Sequence, residues 1–391
     1  MLPFEKALKI VLNSVGQLST ERVNITGAAN RILAEDVKSD MDIPPFNKAA
    51  MDGFACRRED LANELTVVET IPAGMLPEGI IGPNQCAKIM TGSMVPQGAD
   101  CVIMKEYVEA PTENTVRFVA EETAENICLK GEDIKAGDIV LRKGTLLRPQ
   151  HIAVLASVGD TQPSVATRPR VGVIATGDEL VEPTLKPGVS QIRNSNSFQL
   201  VAQVENMGAV AANYGVVKDT TDAIDRVFKK AFEQEDVVIV SGGVSVGDYD
   251  IVKGMLKEND VKLLFEKVAV KPGRPMVFGV SKKAFCFGLP GNPVSTFVMF
   301  ELLVKPFLYR MMGHNFKPVV SYRQLEKTLT RKKMERDSWL PVVFTKNDKV
   351  AKIEYHGSAH INALCEADGL LCVPAGVGEI KEGTSVAVRQ I

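Results

Sequence analysis

Three tight-turn motifs follow one another between residues 241 and 295. They are Ser241-Gly242-Gly243-Val244-Ser245-Val246-Gly247-Asp248-Tyr249-Asp250, Lys271-Pro272-Gly273-Arg274-Pro275 and Leu289-Pro290-Gly291-Asn292-Pro293-Val294-Ser295. The first and third each follow a short apolar run, Val237-Val238-Ile239-Val240 and Phe285-Cys286-Phe287-Gly288. In an open α/β sheet the carboxyl ends of the strands face the ligand crevice. Those ends here carry backbone amides, two carboxylates and two cations. The mixture suits a phosphate-bearing or oxyanion ligand accompanied by a metal ion.

Each motif also has a plainer reading. Asn292 fits a helix N-cap and Pro293 the first helical position. The amides of that first turn hold anions well, Gly291 lets a ligand approach the backbone, and Ser295 adds a hydroxyl. Alone, the same residues make a rigid turn. The loop with Gly242, Gly243 and Ser245 lacks the closing Gly-Lys-[Ser/Thr] of a P-loop. Asp248 and Asp250 are two apart, so an extended backbone aims both at one face. There they suit a hard cation; otherwise one caps a helix and the other is solvated. Lys271 and Arg274 sit in a loop stiffened by prolines and suit oxyanions, though an isolated pair is often just solvated. His356 and His360 are four apart, but Gly357 intervenes and no third ligand is near, so this is not read as a metal site. With only four His in the chain, carboxylates and a metal are favoured over imidazole chemistry.

The surrounding pattern supplies a frame. Val171–Ala175 reads as a strand ending in Thr176-Gly177-Asp178-Glu179. A helix is expected over 196–207, with Asn194, Ser195 or Asn196 as cap and Gly208 as stop. Val210–Val217 is the next strand, Asp219 and Thr220 precede a helix through Lys230, and Val237–Val240 follows as a strand. This βαβα rhythm predicts a mainly parallel sheet with helices on both faces. A long helix is expected from Pro293 to about Met312, kinked at Pro306 and stopped by Gly313. Residues 4–15 and 149–158 read as further helices. Residues 38–145 read as mostly β, with runs at Leu65–Glu69, Cys101–Glu106, Thr115–Val119 and Ile139–Leu141. The tail from 317, with strands at Leu340–Phe344, Val350–Tyr355, Gly369–Val373 and Ser385–Val388, suggests a small β-barrel-like domain.

A chain of 391 residues is too long for one ordinary domain. Its formal charge of −2 gives no whole-chain attraction to nucleic acid or to an anionic membrane, so any anion site must be built locally. Seven scattered Cys, without a Cys-x-x-Cys pair, argue against a disulfide framework and for a reducing, cytoplasmic setting. Nothing resembles a signal peptide or a membrane span.

In order along the chain stand Pro44-Pro45-Phe46, Ala50-Met51-Asp52-Gly53, Lys88-Ile89-Met90-Thr91-Gly92-Ser93, Pro96-Gln97-Gly98-Ala99-Asp100 and Gly131-Glu132-Asp133. Thr176-Gly177-Asp178-Glu179-Leu180, the three central motifs and Ala367-Asp368-Gly369-Leu370 follow. Together they resemble the molybdopterin molybdenumtransferase family, which includes the gephyrin E domain. The resemblance implies an α/β-plus-β multidomain protein. Its three-layer α/β molybdopterin-binding domain would comprise 1–18 and 168–313. A connecting domain (19–37 and 138–167), a mostly β inserted domain (38–137) and a C-terminal β-barrel-like domain (314–391) would complete it. It implies a homodimer whose clefts combine loops of both subunits. It implies that adenylylated molybdopterin and molybdate give molybdenum cofactor and AMP, with Mg²⁺ or another divalent cation.

The resemblance also assigns residues. Asp219, Asp248 and Asp250 would hold the metal, with Asp250 and Asp219 catalytic beside Glu179 and Asp52. Thr91, Asp133, Gly242, Gly243, Ser245, Lys271, Arg274, Pro290, Gly291, Asn292, Pro293, Ser295, Arg336 and Ser358 would bind substrate. Implied partners are a molybdopterin adenylyltransferase and the molybdoenzymes that receive the cofactor, with no nucleic acid and no membrane. Two positions depart from the family pattern. Cys128 stands where an Arg is expected shortly before Gly131-Glu132-Asp133, with Lys130 as a substitute charge. Arg274 stands where Lys is common. Two other classes bear comparison: an adenylyltransferase, which needs no surrounding β domains, and a non-enzymatic scaffold.

Overall fold

The computed structural model describes residues 1–243, 251–354 and 357–391. At its centre lies a six-stranded sheet in the order Val210–Val217, Arg170–Thr176, Val237–Ser241, Phe285–Leu289, Pro275–Val280, Lys262–Lys267. Every residue of Val237–Ser241 is buried, as a strand covered on both faces requires. Alternation divides its side chains. Val237 and Ile239 join a core with Phe4, Leu200, Phe278 and Phe307. Val238 and Val240 join another with Phe228, Phe232, Val252 and Leu256. The helices therefore cover both faces, as expected.

The sheet is mixed rather than uniformly parallel. Its first four strands are parallel, but Pro275–Val280 pairs antiparallel with both neighbours. The link 281–284 is too short for a crossover helix, so a hairpin is the connection available. The long helix after Pro293 is interrupted. It runs Pro293–Met299, passes through a π-helical turn at Phe300–Val304, and resumes as Lys305–Met311. Pro306 has no N–H to give to the preceding turn, and the widened turn accommodates that loss. Gly313, at φ +84°, ends it.

A second six-stranded sheet, in the order Cys101–Met104, Gly53–Cys56, Gln85–Ile89, Glu64–Ile71, Thr115–Phe118, Val108–Thr112, accounts for the β-rich segment. A separate apolar cluster joins Ala28, Leu33 and Val37 to Leu141, Leu155 and Val165. In the tail, Asp337–Thr345, Lys349–Lys352, Val320–Leu325, Ser385–Gln390 and Gly369–Val373 form a ring, the last pairing back onto the first. This is a closed five-stranded barrel, which leaves no edge within the ring. The strand expected to reach Tyr355 ends at Lys352. The short strand Val270–Lys271 pairs in parallel with Asp337 and Ser338 and so links barrel to central sheet. No helix among the described residues is long and apolar enough to cross a membrane.

Candidate active site

Strand register gathers the site. Thr176 is paired with Val217, Ala175 with Ser241, and Ser241 with Leu289. The loops beginning at Gly177, Lys218, Gly242 and Pro290 therefore leave the sheet at one edge. The hairpin adds the fourth chemistry. Val277 lies opposite Gly288, so the start of Pro275–Val280 meets the end of Phe285–Leu289. Arg274 is thereby carried to the side of Pro290. Two cavities result, with Pro275, Pro290 and Asn292 as their shared wall.

The first cavity, of about 640 Å³, is lined by Thr176, Glu179, Asn196, Asp219, Gly242, Gly243, Gly291 and Pro293 among others. Gly242 has φ +97°, and a Cβ there would lie 2.3 Å from the Thr176 carbonyl oxygen. Only glycine suits this turn. Asn196 Nδ2 donates to Ser241 Oγ at 2.8 Å and to the Gly291 carbonyl at 2.7 Å, binding two of the loops together. Asp219 is partly buried. That burial, and then the charges of Asp178 and Glu179, push its carboxyl above the usual range.

The second cavity, of about 720 Å³, has the opposite character. Lys271, Arg274, Arg331, Lys332, Lys333, Arg336 and Lys352 line it, with no carboxylate among the described residues. Ser295, Ser338 and Ser358 supply hydroxyls to its wall. Gly273 lies at φ +110° with a Cβ position 2.4 Å from Met299 Cγ, so the Lys271–Arg274 loop is pressed onto the helix. Arg336 Nη1 donates to the Val270 carbonyl at 3.3 Å. Ser358 closes the far side, its carbonyl accepting from Val294 N at 3.0 Å.

Some expected residues converge and others do not. Lys271, Arg274, Pro290, Asn292, Ser295, Arg336 and Ser358 share the cationic cavity. Glu179, Asp219, Gly242, Gly243, Pro290, Gly291, Asn292 and Pro293 share the other. Within one chain Asp52, Thr91 and Asp133 line neither. Asp52 and Thr91 lie together in the turns just before the strand Gly53–Cys56 and just after the strand Gln85–Ile89: Asp52 Oδ1 accepts from Thr91 N at 2.9 Å and Oγ1 at 2.7 Å. Asp133 lines a separate surface groove with Asp138 and Arg142. Ser245, Asp248 and Asp250 lie outside the described residues, as does His356. Among the described residues no group of three or more His, Cys, Asp or Glu is placed to hold a metal ion. Asp219 is one carboxylate of the expected set, and the repulsion it feels from Asp178 and Glu179 suits a cation.

One local expectation is corrected. Asn292 stands at the N-cap, yet its side chain does not cap; its amide donates to Ser358 Oγ instead. Of the caps expected for the helix at 196, Asn194 serves, its Oδ1 accepting from Ser197 N at 3.2 Å. Lys130, the substitute charge near Cys128, is engaged with Asp42 at 3.5 Å. Sequence reasoning missed Asn196, read merely as a possible cap, and Thr176, whose buried hydroxyl has no partner among the described residues. It also missed Arg331, Lys332 and Lys333, because a run of cations usually reads as a solvated face.

Three successive stretches match family descriptions. Residues 2–159 match "MoeA N-terminal region (domain I and II)", 172–310 match "Probable molybdopterin binding domain", and 325–391 match "MoeA C-terminal region (domain IV)". A molybdopterin molybdenumtransferase of Staphylococcus epidermidis is 36% identical over 397 residues, covering 98% of this chain and 94% of the relative. One of Staphylococcus aureus is 34% identical, covering 99% and 95%. The crystal structure of the molybdopterin biosynthesis moeA protein of Pyrococcus horikoshii OT3 superposes with a TM-score of 0.87 at 32% identity, over all of both chains. The chain belongs to the molybdopterin molybdenumtransferase family.

Proposed function

We propose that this protein inserts molybdenum from molybdate into adenylylated molybdopterin, releasing AMP and molybdenum cofactor. One observation carries the reading: a cationic cavity and a carboxylate-and-glycine cavity meet at Pro275, Pro290 and Asn292. Molybdate is a tetrahedral dianion. Lys271, Arg274, Ser295, Arg336 and Ser358 offer it charge-assisted and hydroxyl hydrogen bonds in a chamber lined by no carboxylate among the described residues. The adjoining cavity takes the nucleotide phosphates at the Gly242-Gly243 turn. Asp219, with Asp248 and Asp250, would hold Mg²⁺, whose chemistry there is to draw charge from the phosphate oxygens. Glu179 orients water or substrate at the same edge.

The active form in this reading is a homodimer. Asp52, Thr91 and Asp133 line neither cavity of their own chain and so serve the partner's cleft. Cyclic pairs are the commonest homo-oligomers. The four-domain division at 1–18 with 168–313, 19–37 with 138–167, 38–137 and 314–391 belongs to the same reading. So do a cytoplasmic setting, supported by seven free thiols, an adenylyltransferase as supplier and molybdoenzymes as acceptors. The test is turnover: adenylylated molybdopterin and molybdate should yield AMP, dependent on Mg²⁺, from a particle of twice 42.5 kDa. A chain that binds both substrates without releasing AMP is a scaffold.

A further inference from the structure

We propose that Arg331 is a positioning residue for the cationic chamber, setting its affinity for oxyanion without touching the ligand. This rests on reading the chamber as the molybdate site. Arg331 lines the chamber, but its guanidinium is turned to the protein. Nε donates to the Val377 carbonyl at 2.6 Å. Nη1 donates to the Arg336 carbonyl at 2.8 Å and to Ser338 Oγ at 2.7 Å. Nη2 donates to the Pro374 carbonyl. An arginine has five N–H donors and no acceptor, so four such bonds leave little for a ligand.

The acceptors explain what the contact does. Three backbone carbonyls converge on this one cation. Uncovered, they would present partial negative charge beside a bound oxyanion and weaken it. The contact also fixes direction. The loop carrying Lys332, Lys333 and Arg336 is clasped to the loop at 374–378, where Arg331 N reaches the Gly378 carbonyl and Gly376 N the Met334 carbonyl. Ser338 is paired with Lys271 across the two-residue strand. One guanidinium thus holds Arg336 through its carbonyl and the backbone opposite Lys271 through Ser338. A lysine keeps the charge but, as a point charge on a flexible stem, does not reproduce a planar fork serving four acceptors.

Trp339, the only tryptophan, packs edge-on against Phe4 rather than lining the chamber, so binding is read by calorimetry. Molybdate titration should show Arg331→Lys and Arg331→Ala binding about 10-fold more weakly, the effect of losing roughly one well-made hydrogen bond in the clasp. The kcat at saturating molybdate and the KM for adenylylated molybdopterin should stay near the parent's. Methylguanidinium should restore molybdate affinity to Arg331→Ala. Arg336→Ala is run in parallel. If Arg336→Ala weakens molybdate and Arg331→Lys does not, the positioning role is overturned while the oxyanion reading stands. If both bind molybdate like the parent, the oxyanion reading falls and the proposal with it. Should the Arg331 variants fail to fold by circular dichroism, Ser338→Ala, which removes one acceptor, decides. A rise of about 3-fold in the molybdate Kd, the lower range for one hydrogen bond, supports the role; an unchanged Kd overturns it.

Discussion

The Asn292 side-chain amide donates to Ser358 Oγ at 2.9 Å, joining residues 66 positions apart. Asn292 belongs to the wall between the two cavities and Ser358 to the C-terminal segment. This bond, with Val294 N donating to the Ser358 carbonyl, docks that segment on the first turn of the Pro293 helix. Asn292→Ala and Ser358→Ala should each raise the molybdate KM by about 3- to 10-fold, the usual worth of one hydrogen bond. The double variant should be little worse than either single one, because the two lose the same contact. Additive losses in a double-mutant cycle would show that the residues act separately on substrate.

The Asp219 carboxylate, once ionised, costs the fold stability. Its folded pKa lies above the ordinary 3.8, first through burial and then through Asp178 and Glu179. Stability from such a shift is complete below the unfolded value and is lost as pH rises through the folded one. At neutral pH the ionised carboxylate therefore strains the metal-free chain. Asp219→Asn should raise the melting temperature without Mg²⁺ and abolish AMP release. Mg²⁺ should stabilise the parent more than the variant. Equal Mg²⁺ shifts in both would remove Asp219 from the ligand set.

Asp52 behaves in the opposite sense. The Thr91 backbone amide, then the Thr91 hydroxyl and Lys105, hold its carboxyl below the ordinary 3.8. A depressed folded value contributes above the unfolded pKa and is lost as pH falls through the folded one. Carbon-13 NMR should place the Asp52 midpoint below 3.8, and Thr91→Val should move it upward. The group is exposed, so Asp52→Asn should leave the neutral-pH melting temperature nearly unchanged while lowering turnover. A midpoint unmoved by Thr91→Val would mean that the hydroxyl contact is absent in solution.

Complementation tests the shared cleft. In the proposed homodimer, Asp52→Asn and Asp219→Asn would each disable a different half of a composite site. Mixing the two inactive chains under exchange should restore about a quarter of parental activity, since half the dimers are mixed and each keeps one intact cleft. No recovery, with subunit exchange shown by native mass spectrometry, places Asp52 and Asp219 in the same cleft or Asp52 in none.

The parts of this architecture visible in the sequence are those written locally. Val237–Ser241 is a continuous apolar run because both of its faces are covered, and Val210–Val217 has the bounds expected of it. Gly208 and Gly313 stop helices where their positive φ is needed. Two cations in one proline-stiffened turn, Lys271 and Arg274, marked the chamber. What stayed hidden depends on pairing at a distance. The reversal at Pro275–Val280 needs knowledge of which strand is its neighbour. Asn292 carries the signature of a cap, and only the approach of Ser358 redirects it. Arg331 sits in a basic run, and nothing nearby in sequence shows that carbonyls at 336, 374 and 377 await it.

The strand Val270–Lys271 has a kinetic consequence. It belongs at once to the rim of the C-terminal barrel and to the loop that carries Lys271. Asp337 N donates to the Ala269 carbonyl at 3.1 Å on this seam. Swinging the barrel aside to admit ligand would tear backbone bonds at the loop proposed to bind it. With the barrel held in place, a ligand would reach the chamber past the side chains of Lys332 and Lys333, which line it and are exposed. Exchange of a small oxyanion should be fast and sensitive to ionic strength, even while the seam between barrel and central sheet stays closed.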